Sequence, residues 1–176
     1  GEEPDLVISD VLMPGINGYE FCKQIKENIQ ICHIPVILVT AKTSTENQIE
    51  GLNSGADAYV IKPFDPSYLK ALIHSLLQNR EKARNILSKS TQTAEVPEEV
   101  LSPQDKNFMD ELYSIMEKEL NNPELDVTYM TEKLRISRTK LYYKIKGLTG
   151  ENPSVFFRRY KLNRAAELIQ EGKYNL

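Results

Sequence analysis

Three short runs of apolar residues, rich in β-branched side chains, stand out in the first third of the chain. They are Leu6-Val7-Ile8-Ser9-Asp10, Pro35-Val36-Ile37-Leu38-Val39-Thr40 and Ala58-Tyr59-Val60-Ile61-Lys62. Continuous runs of this length are typical of strands buried on both faces of a parallel sheet. Apolar residues at helical spacing occur after two of these runs. Phe21 and Ile25 lie four residues apart after Gly18, and a longer apolar stripe follows Pro66. The pattern predicts alternating strands and helices around a parallel sheet.

The helix after Pro66 has the clearest signals of all. Asp65 can cap it, and Pro66 suits the first helical position. Its apolar stripe consists of Leu69, Leu72, Ile73, Leu76 and Leu77. With this helix, residues 1–84 are predicted to form an α/β domain.

From residue 85 to residue 101 the apolar periodicity fades and serine, threonine, proline and glutamate become frequent, so this segment is predicted to be a linker. Residues 102–176 carry only helical patterns and are predicted to form a second, all-α domain. Ser102 can cap its first helix, with Asp105 at the capping-box offset where glutamate or glutamine is usual.

Three more helices are predicted in this second domain. They are Val127–Leu134, Ser137–Gly147 and Pro153–Gln170, with Gly172 as the stop signal of the last.

The net charge of −3 conceals a division along the chain. Residues 127–176 contain 11 lysines and arginines and 4 acidic residues, whereas residues 1–126 contain 11 lysines and arginines and 21 acidic residues. A basic C-terminal third indicates a polyanionic partner.

Cys22 and Cys32 lack metal-ligand spacing, so we expect two reduced thiols and no transition-metal site. No apolar run approaches the length of a membrane span, and no membrane contact is expected.

Polar side chains close the three apolar runs. Asp10, Thr40 and Lys62 each stand at the carboxyl end of one run, and these ends converge if the strands are parallel. A carboxylate can accept a phosphoryl group as an acyl phosphate when nearby cations neutralise the charge. Lys62 offers an ammonium group, Thr40 offers a hydroxyl donor, and a divalent ion is the usual second cation. The sequence therefore predicts a phosphoryl-accepting site.

Longer motifs surround these three residues. They are Pro4-Asp5-Leu6-Val7-Ile8-Ser9-Asp10-Val11-Leu12-Met13-Pro14, Ile34-Pro35-Val36-Ile37-Leu38-Val39-Thr40-Ala41-Lys42 and Gly55-Ala56-Asp57-Ala58-Tyr59-Val60-Ile61-Lys62-Pro63-Phe64. Through them, residues 4–84 closely resemble the receiver domain of response regulators. The resemblance implies a flavodoxin-like fold with three of its five strands present, and a regulatory role without enzyme activity.

The same resemblance implies a role for each site residue. Asp10 would accept phosphate from a histidine kinase, Lys62 would contact the phosphoryl oxygens, and Thr40 and Tyr59 would act as switch residues. Mg²⁺ would be held by the Asp10 carboxylate and the Leu12 carbonyl. The bond between Lys62 and Pro63 would be cis.

The chain departs from the receiver pattern at its start. In the family, a strand ending in two acidic residues precedes the phosphoacceptor, whereas only nine residues precede Asp10 here. We therefore expect a piece of a longer protein that lacks the first two strands of the receiver and most of its Mg²⁺ site, since Glu2 and Glu3 lie too close to Asp10 to replace the acidic pair. The third strand, which carries Asp10, would have an uncovered edge that favours homodimers and strand exchange.

The two short helices on either side of Arg135 and Ile136 fit a helix-turn-helix, whose second helix lies in the major groove of DNA. Spacing predicts that Leu141 and Ile145 point to the core. The remaining faces carry groups able to contact phosphates or bases, namely Arg138, Thr139, Lys140, Tyr142, Tyr143, Lys144 and Lys146.

The motifs of this region are Met130-Thr131-Glu132-Lys133-Leu134, Ser137-Arg138-Thr139-Lys140-Leu141-Tyr142-Tyr143-Lys144-Ile145-Lys146-Gly147-Leu148-Thr149-Gly150, Pro153-Ser154-Val155-Phe156-Phe157 and Arg164-Ala165-Ala166-Glu167-Leu168. Through them, residues 103–176 resemble the AraC/XylS-type DNA-binding domain. The likeness implies base contacts by Thr139, Tyr142 and Tyr143, and it places Arg138 and Lys140 near the bases. It also implies phosphate contacts by Lys144 and Lys146. That family has a second helix-turn-helix after the long helix, which this sequence does not reach, so we expect low intrinsic affinity for DNA.

A receiver followed by an AraC-type domain resembles the cytoplasmic tail of hybrid two-component regulators of Bacteroides-like bacteria. A stand-alone response regulator is the close alternative. The predicted function is phosphorylation-controlled transcription, in which acyl phosphate at Asp10 favours dimerisation and binding to double-stranded promoter DNA. The expected partner is a histidine kinase, in the same chain or separate, and the expected location is cytoplasmic. A phosphate-independent dimerisation scaffold is the alternative. A haloacid-dehalogenase-type phosphatase is disfavoured because it needs a second aspartate where Leu12 stands.

Overall fold

The computed structural model describes residues 4–41, 49–51, 53–90, 101–170 and 172. The chain forms two compact units, Gly1–Glu81 and Lys82–Leu176. The described strands all lie in the first unit.

The first unit is built on a three-stranded parallel sheet. Its strands β1 (Val7–Asp10), β2 (Val36–Thr40) and β3 (Ala58–Ile61) lie in the order β1-β2-β3. All five residues of β2, the central strand, are buried, since helices cover both faces of the sheet there. The predicted parallel sheet is confirmed.

Two helices pack on this sheet, α1 (Gly18–Glu27) and α2 (Pro66–Leu87), and the last six residues of α2 belong to the second unit. On one side of β2, Val36 and Leu38 share a core cluster with Tyr19, Cys22 and Ile25 of α1. On the other side, a cluster of Ile37, Val39 and Val60 packs against Leu69, Leu72, Ile73 and Leu76 of α2. Successive β2 side chains alternate between the two clusters, as the pleat of a strand requires.

The predicted cap and stripe of α2 have the expected geometry. The Asp65 carboxylate accepts a hydrogen bond from the N–H of Ser67 at 2.7 Å. The helix continues to Leu87, three residues into the segment predicted as a linker, and Ala83 and Leu87 are buried four residues apart. Residues 91–100 of the predicted linker lie outside the described residues.

The second unit is helical, as predicted. After the end of α2 it contains α3 (Pro103–Lys118), α4 (Val127–Leu134), α5 (Arg138–Thr149) and α6 (Pro153–Gln170). Ser102 caps α3, since its hydroxyl accepts a hydrogen bond from the Asp105 N–H at 3.1 Å. Arg135, at φ 55°, takes the left-handed conformation that ends α4, and Ser137 then caps α5. The predicted helix-turn-helix segments are therefore present as two helices separated by three residues.

The core of this unit is formed by all four helices. Its fully buried side chains include Met109, Leu112 and Met116 of α3, Met130 of α4, Leu141 and Ile145 of α5, and Phe156 of α6. The predicted burial of Leu141 and Ile145 is confirmed. Among the helices that the structure describes, none has the length and apolar character needed to cross a membrane.

Candidate functional site

The carboxyl ends of the three strands bring the predicted site residues to one edge of the sheet. Asp10, the last residue of β1, is in register with Val39 of β2, and Thr40 is in register with Ile61 of β3. Lys62 follows directly after β3, and its backbone N–H donates to the Thr40 carbonyl at 2.7 Å. Asp10, Thr40 and Lys62 therefore stand on adjacent strands at the same edge.

The Asp10 carboxylate has a distinct partner on each oxygen. Its Oδ2 lies 2.5 Å from the Lys62 Nζ, and its Oδ1 accepts a hydrogen bond from the Leu12 N–H at 3.0 Å. The Asp10 side chain is 36 % exposed and that of Lys62 is 45 % exposed, so the pair is accessible from solvent. The Lys62-Pro63 peptide bond is cis, as predicted.

Loss of the Lys62 ammonium group is expected to raise the pKa of the Asp10 carboxyl. The hydrogen bond from Lys62, followed by that from the Leu12 N–H, holds this pKa below its ordinary value of 3.8. Because the folded state lowers the pKa, the pair stabilises the fold above pH 3.8, and this contribution is lost as the pH falls through the folded-state pKa. In a Lys62→Met variant, a ¹³C NMR titration should place the Asp10 midpoint higher than in the parent chain.

Asp65 is the matched control for this titration. Its pKa is also lowered, but by hydrogen bonds from Ser67. Lys62→Met should leave the Asp65 midpoint in place, and an equal rise at both carboxyls would show that the effect is not local to the pair.

The two predicted switch residues lie beside this pair on the neighbouring strands. Thr40 is fully buried at the end of β2. Tyr59 of β3 is half-buried against the cluster on the α1 side, and its hydroxyl lies 3.2 Å from that of Tyr19. Burial, and then the Tyr59 hydroxyl, raise the pKa of Tyr19 above its ordinary value.

Two contacts of Tyr59 were not anticipated from the sequence. Tyr19 supplies a buried hydroxyl partner, and Gly51 leaves room for the ring, since a Cβ at Gly51 would lie 2.6 Å from the Tyr59 ring. The two tyrosines are 40 residues apart and Gly51 is eight residues from Tyr59, and no local motif signals either contact.

The Mg²⁺ site implied by the receiver resemblance is only partly supplied by the described residues. Asp10 offers one carboxylate, already paired with Lys62, and Leu12 offers a backbone carbonyl. No group of three or more His, Cys, Asp or Glu residues that could hold a metal occurs in the described part of the chain. These two donors would fill two of the six octahedral positions of Mg²⁺, and the others would fall to water, to a bound phosphoryl group or to residues outside the described part of the chain.

Most predicted DNA-binding residues are accessible on α5. Arg138, Thr139, Lys140 and Lys146 are exposed, and Tyr142 and Tyr143 are half-buried. The two tyrosine rings meet edge to face at 5.4 Å, and the Lys146 ammonium lies 5.5 Å from the centre of the Tyr142 ring. One face of α5 therefore presents aromatic rings flanked by cations.

The prediction that Lys144 contacts a DNA phosphate is wrong. Its side chain is 0 % exposed, and its ammonium group is paired with the buried carboxylate of Asp105. It also lies 5.7 Å from the centre of the Phe108 ring. A lysine amine held in the core by a carboxylate cannot reach a phosphate outside it.

The family model described as "Response regulator receiver domain" matches residues 1–74. "Histidine kinase P4" of Formosa agariphila is 37 % identical over 174 residues, which are 98 % of this chain and 13 % of that protein. "Response regulator Rre1" of Synechocystis is 36 % identical over 97 residues, or 55 % of this chain and 42 % of that protein. The chain thus spans less than half the length of either relative.

A relative of more similar length covers both units. "Probable transcriptional regulator ycf29" of Pyropia yezoensis is 31 % identical over 151 residues, which are 80 % of this chain and 68 % of that protein. Together with the family model, this relative confirms the predicted receiver domain. The chain belongs to the response-regulator receiver family.

Proposed function

We propose that the chain is the receiver and DNA-binding part of a phosphorylation-controlled transcription regulator in a two-component system. The observation that carries this proposal is the solvent-accessible Asp10 carboxylate, with its Oδ2 2.5 Å from the Lys62 ammonium at the carboxyl edge of a parallel sheet. Asp10 is the acceptor of the phosphoryl group, which a histidine kinase donates.

The hydrogen bonds of Asp10 suit this chemistry. The Leu12 N–H orients the carboxylate through Oδ1, and Oδ2 attacks the phosphorus as the donor's leaving group departs with its electron pair. The Lys62 ammonium then stabilises the negative charge on the phosphoryl oxygens. Thr40 and Tyr59 complete the proposal as switch residues, since they lie on the adjacent strands.

The second unit supports the DNA-binding half of the proposal. The helices α4 and α5 are joined by a three-residue turn, and α5 buries Leu141 and Ile145 while it exposes a polar face. We assign α5 as the recognition helix of an AraC-type domain that binds double-stranded promoter DNA. Its contact residues are Arg138, Thr139, Lys140, Tyr142, Tyr143 and Lys146.

The relatives support the setting of this function. A protein named as a histidine kinase aligns with 98 % of this chain, which favours a hybrid parent that carries kinase, receiver and DNA-binding domains in one polypeptide. A relative named as a probable transcriptional regulator supports the role in transcription. We place the protein in the cytoplasm, where a histidine kinase and DNA are both accessible.

Phosphoryl transfer can be tested directly by mass spectrometry. The full-length parent protein, incubated with acetyl phosphate and Mg²⁺, should gain one hydroxylamine-labile phosphoryl group on Asp10. An Asp10→Asn variant should gain none. Asp5→Asn, which removes an exposed carboxylate near the same strand, should behave like the parent chain. Modification of the Asp10→Asn variant to the same extent would overturn the assignment.

A phosphate-independent dimerisation scaffold remains the second candidate. Sedimentation equilibrium separates the two functions, because a scaffold is dimeric with or without acetyl phosphate, whereas the switch requires phosphorylation.

A further inference from the structure

A basic cavity lies in the second unit, and its lining combines Arg138, one of the predicted DNA-binding residues, with residues of α6 that the sequence did not single out. Its volume is about 370 Å³, larger than a phosphate group. The cations that line it are Arg138, Arg158 and Lys161. They come from the first residue of α5 and from one face of α6, where positions 158 and 161 are three residues apart.

The charges of this cavity favour an anion. Neither the Arg138 nor the Arg158 guanidinium has a hydrogen bond or ion pair with any residue that the structure describes. The Lys161 ammonium is held in place by the Leu125 carbonyl at 3.2 Å. The lining has one acid, Asp126, whose carboxylate accepts a hydrogen bond from the Tyr129 N–H at 2.8 Å as the cap of α4. Three cations against one carboxylate leave the cavity positively charged.

The position of the cavity matches the docking geometry of a helix-turn-helix. In that geometry the N-terminal end of the recognition helix enters the major groove, and the helix before it crosses the DNA backbone. The cavity is lined by Arg138, at the N-terminal end of α5, and by Asp126, Val127 and Thr128, at the start of α4. The walls of the major groove are the phosphates of the two strands, so an anion lies where these two helix ends meet DNA.

We propose that this cavity binds a phosphate of the DNA backbone and that Arg138, Arg158 and Lys161 form a phosphate clamp. This inference rests on the proposed DNA-binding function and deepens it. It reassigns Arg138 from a position near the bases to the backbone, and it adds two residues of α6 to the interface. Contacts of this type are independent of base sequence and fix the orientation of a protein on the duplex.

The clamp can be tested with a mixed-sequence 30-base-pair duplex, by fluorescence anisotropy between 50 and 200 mM salt. Each phosphate contact contributes about −0.9 to the slope of log K against log salt. An Arg158→Gln variant should therefore bind more weakly and have a slope shallower by about 0.9. Over this fourfold range of salt, its deficit in affinity should be about 3.5-fold larger at the lower concentration.

Two further variants make the outcome specific. Lys161→Gln should act in the same direction as Arg158→Gln. Lys118→Gln removes an exposed lysine at the end of α3 that does not line the cavity, and it should leave the slope unchanged. Circular dichroism melts verify that each variant is folded.

The possible failures are distinguishable. If the parent chain binds the duplex and both cavity variants keep its affinity and slope, the clamp is wrong and the DNA-binding function stands. If the parent chain shows no binding at 50 mM salt, DNA binding by this chain and the clamp are both overturned.

Discussion

Replacing Lys144 by methionine is expected to lower the free energy of unfolding of the second unit by about 3–5 kcal/mol. The variant removes the ammonium group but leaves the Asp105 carboxylate buried, 3 % exposed, without its cation. The Ser102 hydroxyl still donates to Asp105 at 2.7 Å, but one neutral hydrogen bond does not replace a cation in the core. Hydrogen exchange of the slowest amides in α5 measures this loss.

Two comparisons isolate the buried pair as the cause. Lys140→Met removes the same charge from an exposed position of α5 and should change stability by less than about 0.5 kcal/mol. A double variant, Asp105→Leu with Lys144→Met, removes both charges and should recover much of the loss, since an apolar pair of similar volume replaces a buried ion pair at little cost.

The result also decides between the two roles of Lys144. A loss of stability of about 1 kcal/mol or less, combined with weaker DNA binding, would show that the amine reaches solvent and would restore the phosphate contact predicted from the sequence. The ion pair instead gives Lys144 a structural role. It joins the first turn of α3 to the middle of the proposed recognition helix and so fixes which face of α5 is exposed.

The sequence contained part of the information needed to place Lys144. The residue follows Leu141 by three positions and precedes Ile145 and Leu148, so it lies on the apolar face of α5. Its length and charge nevertheless suggested a surface role, because lysine is rarely buried without a partner. The partner, Asp105, lies 39 residues earlier, at the capping-box position where aspartate replaces the usual glutamate or glutamine. Pairing over such a distance depends on tertiary packing, which periodicity does not report.

The proposed phosphoacceptor site was more predictable than the second unit. Parallel strands align their carboxyl ends, so a carboxylate and an ammonium group that close two apolar runs must come to one edge once the strand order is fixed. The observed distance between Asp10 and Lys62 follows from this local rule. Contacts made by side chains across the core, such as that between the Tyr19 and Tyr59 hydroxyls, depend on helix placement and had no local signal.

The extent of α2 illustrates the same limit. The fading apolar periodicity from residue 85 suggested a linker there, yet the helix continues to Leu87, which is buried four residues after Ala83. Two small or isolated apolar positions are too few for a periodic signal, and the burial becomes visible only in the folded second unit.

Replacing Gly18 by alanine is expected to displace the main chain at Asp10, the proposed phosphoacceptor. A Cβ at Gly18 would lie 2.4 Å from the Asp10 carbonyl oxygen and 2.7 Å from the Val11 Cα, and neither backbone atom can rotate away as a side chain could. The Gly18 N–H also donates to the Val11 carbonyl at 3.0 Å, so the start of α1 is fixed against this segment. We expect a loss of about 1–3 kcal/mol in the free energy of unfolding, as for other overpacked sites.

The displacement should also reach the Asp10 carboxylate. Moving the end of β1 away from Lys62 weakens the hydrogen bond that lowers the pKa of Asp10, so this pKa should rise in Gly18→Ala. A shift of about 1 Å at a reacting group can slow a reaction by about 100-fold, and phosphorylation by acetyl phosphate should slow on this scale.

Gly15→Ala is the matched control. Gly15 has a φ of +91° but nothing within 4 Å of its added Cβ, so that variant strains the backbone without a clash. If both variants gave the same Asp10 pKa and the same rate, the close approach of α1 would have no part in positioning the carboxylate.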